Sequence, residues 1–189
     1  MPILTVFAGP NGSGKSSISQ RLEFEGRLNL LDTDAIARRI NPDDPRAAAV
    51  EAGREVLTRT REFIENRESF AIETTLAGNT ALAVMRRTAD LGYVVRLIYL
   101  CLSSPERSIR RVRERAAQGG HDVPDEDIKR RYARSVANLS TAIRLADEAV
   151  MYDNSGKEPK RVIQAVGGRI VWSDVPLPEW TRGLVAGLS

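Results

Sequence analysis

Aromatic residues make up only 5% of this chain, and they do not interleave with the arginines clustered between Arg107 and Arg115. Stacking platforms for single-stranded nucleic acid are therefore not expected. The one cysteine, Cys101, lies inside the apolar run Leu97-Ile98-Tyr99-Leu100-Cys101-Leu102. It excludes an internal disulfide and a thiolate metal framework, and reads as a small buried hydrophobe. The one histidine, His121, follows two glycines and reads as a contact or a bystander, not a base. No apolar run is long enough to span a membrane, and no charged-then-apolar leader precedes the first apolar segment after Pro2. A cytoplasmic protein is the expectation.

What is present is a regular alternation of strand and helix signals over 189 residues, which fits a single domain (1–189) able to bury its own core. Strands are predicted at 3–8, 28–32, 69–73, 93–102, 147–152 and 168–172. Helices are predicted at 15–24, 35–40, 46–66, 79–91, 105–117 and 125–145. Such an order implies an α/β class with a mainly parallel, five- to six-stranded sheet and helices on both faces.

Between the first strand and the first helix stands Gly9-Pro10-Asn11-Gly12-Ser13-Gly14-Lys15-Ser16, a Walker A phosphate loop in its proper strand-to-helix context. Glycines let the backbone close on phosphate oxygens, so that successive N–H groups at a helix start face the anion. Lys15 then bridges the β- and γ-phosphates, the Ser16 hydroxyl ligates Mg²⁺, and Ser17 is a further donor. The implied cofactors are ATP and Mg²⁺, and the fold is a three-layer P-loop NTPase.

Ligands of open α/β sheets lie beyond the carboxyl ends of the strands. The second strand ends in Asp32-Thr33-Asp34, and alternate residues of an extended segment point the same way. One carboxylate, Asp32, is expected to hold the metal, and Asp34 to accept a proton from an attacking hydroxyl, unless either only caps the next helix. The third strand ends in Glu73-Thr74-Thr75, where Glu73 and Thr75 are expected to face the substrate, unless Glu73 only pairs with a lid arginine or Thr74 and Thr75 cap the next helix. The fourth ends in Ser103-Ser104-Pro105 with no acid, so a conventional Walker B aspartate is missing there, which speaks against a motor-type ATPase. Asp153-Asn154-Ser155 closes the next strand, and Asn154 is expected near the nucleotide base.

Arg107, Arg111 and Arg115 recur every four residues and share a helical face. Of Arg111, Arg115, Arg130, Arg131 and Arg134, one or two are expected to clamp the transferring phosphoryl group. The stretch from Gln118 to Asp127 between the arginine-bearing helices has the composition of a lid, spanning about 105–135 with its flanks.

Together, the Walker A loop, Leu31-Asp32-Thr33-Asp34, Glu73-Thr74-Thr75-Leu76, Gly119-Gly120-His121-Asp122-Val123-Pro124 and Tyr152-Asp153-Asn154-Ser155 resemble the zeta-toxin family of P-loop kinases, in particular its short single-domain members. The resemblance implies transfer of the ATP γ-phosphoryl group to a hydroxyl of UDP-N-acetylglucosamine, and an antitoxin partner. It matches Asp34 to the base, Lys15 and Ser16 to the phosphate and Mg²⁺ positions, Thr75 to a substrate contact, and Arg115 with either Arg130 or Arg131 to the clamps. With Arg131 as the second clamp, Arg130 and Arg134 fall to the acceptor. The rival readings are a kinase for another metabolite, a nucleoside or a nucleic-acid end, and a nucleotide-binding regulatory module without turnover.

Overall fold

Ile3–Ala8 (β1) is buried along its whole length, the behaviour of a strand covered on both faces. The computed structural model describes residues 1–120 and 123–184. After β1 the chain runs through α1 (Lys15–Arg21), β2 (Leu30–Asp32), α2 (Thr33–Ile40), α3 (Ala49–Glu65), β3 (Phe70–Thr74), α4 (Thr80–Asp90), β4 (Val94–Cys101), α5 (Pro105–Ala117), α6 (Asp125–Leu145) and β5 (Glu148–Asp153). The antiparallel pair β6 (Lys160–Val166) and β7 (Arg169–Ser173) follows.

The strands form one sheet in the order β2-β3-β1-β4-β5-β6-β7, with β1 to β5 parallel and β6 antiparallel to β5. β1 lies between β3 and β4, where the winding direction reverses, so a crevice opens above its carboxyl end. Seven strands replace the expected five or six, because the sequence reading passed over β6. Its hairpin signal was available: Gly167-Gly168, both at positive φ, is the two-residue turn that joins twisted antiparallel strands.

Alternate strand residues partition between the two faces. Leu4, Val6 and Ala8 join Val95, Leu97 and Tyr99 in the main core, which Phe63 of α3, Leu82 and Met85 of α4, and Leu139 and Ile143 of α6 complete. On the other face Phe7 meets Phe24, just beyond α1, with ring centroids 5.0 Å apart. Cys101 is fully buried and its thiol is pushed up to about 11 by that burial, in keeping with a structural role.

Several boundaries shifted for local reasons. β2 begins at Leu30, since Arg27–Asn29 turns as a 3-10 helix behind Gly26. α5 begins where expected because Ser104 caps it, accepting from the Arg107 N–H, with Pro105 at the first helical position. It packs on α6 through Ile109, Val112, Val123 and Ile128. Near the chain end Trp180 lies against Tyr99, centroids 5.8 Å apart, and donates its indole N–H to Asp153 at 2.9 Å. Among the described residues no helix is long and apolar enough to cross a membrane.

Candidate functional site

The loop after β1 turns on glycines that nothing larger replaces. A Cβ on Gly9, at φ +142°, would lie 1.9 Å from the Leu100 carbonyl oxygen, and one on Gly14, at φ +96°, 2.5 Å from Asn154 Nδ2. The loop closes on itself through Pro10, whose carbonyl accepts from the Ser13 N–H at 3.2 Å and from Lys15 Nζ at 3.2 Å. It is also anchored from across the sheet, since Asn154 donates to the Ser13 carbonyl at 2.9 Å. Asn154, expected at the nucleotide base, is thus used by the loop backbone while still lining the cavity. Inside the loop, Asn11 Oδ1 and the Ser13 hydroxyl are buried without a partner among the described residues, a cost that a bound polyanion's hydrogen bonds would relieve.

A cavity of about 780 Å³ opens above this loop, lined by Gly12, Gly14, Lys15, Ser16 and Ser17. The strand ends supply its acids: Asp32 and Asp34 from β2 and α2, and Glu73 from β3, with Thr75 beside it. Ser16 Oγ donates to Glu73 Oε1 at 2.7 Å, and Ser19 Oγ reaches Glu73 Oε2 at 3.4 Å. Glu73 was expected at the acceptor, yet its carboxylate sits on the very hydroxyl expected to ligate Mg²⁺. β4 ends without an acid at this rim, whereas β3, which flanks β1 on the other side, ends with Glu73. The Ser16–Glu73 bond was not visible in the sequence, because it depends on strand adjacency.

Burial pulls the Lys15 ammonium below the ordinary lysine value, while Glu73, Asp34 and Asp32 act in the opposite direction. Burial likewise raises the Glu73 carboxyl, and Lys15 partly offsets this. A cation and an acid are therefore held within electrostatic reach of each other in a poorly solvated cleft. Asp32 caps α2, its Oδ1 accepting from the N–H groups of Asp34 at 2.9 Å and Ala35 at 3.2 Å. Its other oxygen makes no hydrogen bond among the described residues, so capping and metal contact are compatible. Asp34 is exposed at the cavity wall.

The arginines divide. Arg115 and Arg111 line the phosphate cavity, and Arg115 lies close enough to Lys15 to depress its proton affinity. Arg111 donates to the Asn154 carbonyl at 2.7 Å, and Arg107 to that of Ser155 at 2.8 Å, so the arginine row of α5 braces the rim after β5. Arg130 is paired with Asp127 at 2.9 Å, and Arg134 is exposed and lines no described cavity. Arg131, expected as a second clamp, lines a neighbouring chamber and not the phosphate cavity. α6 starts beyond the loop, so its first turns face α2 instead of Lys15. Gln118 and Gly120 border the phosphate cavity at the foot of the expected lid; His121 lies outside the described residues.

Two supports escaped the sequence reading. Arg38, one turn after Asp34 on α2, lines the cavity with it; the i, i+4 spacing was the available signal. Leu76 adopts φ 56° while fully buried, and its carbonyl accepts from Asn138 of α6 at 2.9 Å. This strained residue fixes the loop that presents Thr75, a conformation that persists only where surroundings enforce it.

Residues 4–138 match the AAA_33 family, described as an AAA domain. An uncharacterized protein of Haemophilus influenzae is 32% identical over 126 residues, covering 67% of this chain and 89% of its own length. In three dimensions the whole chain superposes on part of the AvrRxo1-ORF1:-ORF2 complex with ATP, with a TM-score of 0.67 at 13% identity. It spans 64% of that chain. A structure of the PezAT chromosomal toxin-antitoxin system of Streptococcus pneumoniae gives a TM-score of 0.58 at 16% identity, over 89% of this chain and 75% of the other. At these identities the likeness is one of fold.

Proposed function

The chain belongs to the AAA_33 family of AAA domains, and from that premise we propose that it is a phosphotransferase, moving the γ-phosphoryl group of Mg²⁺-ATP to a hydroxyl of a small acceptor. The observation that carries this reading is that Asp34 lines the same cavity as Lys15, Ser16 and Glu73. A phosphate cradle with an exposed carboxylate opposite is what in-line attack by a hydroxyl requires.

Each residue has a role in this reading. Backbone N–H groups of the loop from Gly9 to Ser17 and the Lys15 ammonium hold the phosphates. The oxygen donors of Ser16, Glu73 and Asp32 form a hard ligand set that suits Mg²⁺, which would neutralise charge on the phosphates. Asp34 orients the acceptor hydroxyl and takes its proton, and Thr75 hydrogen-bonds the acceptor. Arg115 stabilises charge on the transferring group, with α5 and the start of α6 closing as a lid over one domain. A UDP-amino sugar such as UDP-N-acetylglucosamine is the acceptor suggested by the zeta-toxin resemblance, and an antitoxin the protein partner. The fold shared with a toxin-antitoxin structure supports the antitoxin part of this reading, whereas the acceptor rests on the resemblance of the motifs alone.

The test is incubation with γ-labelled ATP and a panel of UDP-sugars, nucleosides, small metabolites and short oligonucleotides. Label is expected on a small acceptor, with Asp34→Asn lowering transfer by about 10²-fold or more while nucleotide binding persists. Tight ATP binding with no labelled acceptor would instead identify a nucleotide-binding regulatory module.

A further inference from the structure

A second chamber of about 260 Å³ opens beside the phosphate cavity, and the two share Thr33, Asp34 and Arg38. The proposed base therefore stands at a doorway between them. Arg131 of α6 and Arg46 of the α2–α3 connection also line the chamber.

Arginines outnumber acids along its lining. Besides Asp34, the acid on its wall is Asp127, and the Asp127 carboxylate is bonded to Arg130 at 2.9 Å. Arg39, next in sequence, is paired with Glu55 at 2.5 Å, whereas among the described residues Arg38 and Arg131 have no ion pair. Guanidinium groups from separate segments that line one chamber favour a bound anion, and their planar forks match phosphate or carboxylate oxygens.

We infer that this chamber is the acceptor's anion subsite, with Arg38 and Arg131 as its specificity-determining residues. The inference rests on the phosphotransferase reading for the word acceptor, and narrows it to hydroxyl compounds that carry a phosphate or carboxylate. Asp34 and Arg38 are one helical turn apart on α2, so the anionic group and the reacting hydroxyl are held by neighbouring positions of one helix. Arg131 thus serves the acceptor and not the γ-phosphoryl group.

The first measurement is titration of inorganic phosphate into protein saturated with a non-hydrolysable ATP analogue and Mg²⁺, so that the phosphate loop is already filled. One site is expected, weakened about tenfold by Arg38→Ala and by Arg131→Ala, partly restored in Arg38→Lys, and unaffected by Arg87→Ala on the outer side of α4. Absence of that site, or equal affinity in all four variants, overturns the inference. The second measurement compares label transfer to phosphorylated acceptors, to carboxylated ones and to their neutral counterparts. Charged acceptors are expected to have the lower KM, with Arg38→Ala raising that KM about tenfold and leaving kcat nearly unchanged; preference for the neutral partners overturns the inference. Phosphate binding that behaves as expected without transfer to any acceptor would remove the phosphotransferase reading and leave an anion site beside the nucleotide.

Discussion

Ser16 of α1 donates its hydroxyl to the Glu73 carboxylate at the end of β3, 2.7 Å away. The pair joins the phosphate loop to the neighbouring strand across register partners Phe7 and Glu73 of β1 and β3. It follows that the carboxylate and the hydroxyl reach any metal together, as one oxygen-donor unit. Glu73→Gln keeps the shape and a hydrogen-bond acceptor but removes the charge. We expect the gain in ATP affinity that Mg²⁺ confers, measured calorimetrically with Mg²⁺ and with chelator, to shrink by about tenfold or more in this variant, and phosphoryl transfer to fall about 10²-fold. An unchanged Mg²⁺ dependence would remove Glu73 from the metal site.

Proton linkage follows from the same cleft. Burial depresses Lys15 in the free protein and raises Glu73; an added triphosphate without metal raises the proton affinity of both. Binding of metal-free ATP therefore takes up protons, and affinity falls as pH rises. The Lys15 part of that fall occurs around its free-protein value, which lies below 10.5, with a limiting slope of about tenfold per pH unit for one proton. Lys15→Met should bind ATP weakly and lose this alkaline limb. Buffers of different ionisation enthalpy would expose the uptake in wild-type protein, and proton release would refute it.

Much of this was legible in the sequence, because the information was local. Gly9 to Ser16 sits after a largely apolar run, and Ser104-Pro105 starts α5 where capping chemistry requires. What was not legible depended on adjacency. Glu73 could be recognised as a functional acid, but its partnership with Ser16 needs β3 beside β1. Arg131 could be recognised as an arginine off the core face of α6, yet only the fold shows that it shares a chamber with Arg38 of α2. Asn154 shows both sides: its strand-end position was readable, while its bond to the Ser13 carbonyl closes a loop separated by 141 residues. β6 was missed because Lys160 and Arg161 mask its alternation, although the Gly-Gly turn after it was in view.

Asp32 and Asp34 should separate cleanly. Asp32 caps α2 through two N–H groups, so Asp32→Ala is expected to cost about 1 kcal/mol of stability in denaturant titration. Because α2 carries Asp34, activity falls as well. Asp32→Asn retains a capping oxygen and should recover the stability, while any metal contribution of the carboxylate stays lost. If the asparagine variant recovers full activity too, Asp32 is a cap alone.

Asn138 holds Leu76, and through it the loop of Thr75. The Leu76 carbonyl accepts from Asn138 Nδ2 at 2.9 Å, and the Leu76 N–H donates to Thr74 Oγ1 at 3.0 Å, which together keep a buried leucine at φ 56°. Asn138→Ala removes a donor from a partly buried carbonyl and should destabilise the protein by about 1–2 kcal/mol. The released strain lets the loop relax away from the cavity. Since Thr75 contacts the acceptor in the proposed reaction and the phosphate loop does not touch Asn138, the variant should raise the acceptor KM while the affinity for an ATP analogue stays at the wild-type value. Loss of nucleotide affinity in step with stability would show instead that α6 supports the whole cleft and not the Thr75 loop in particular.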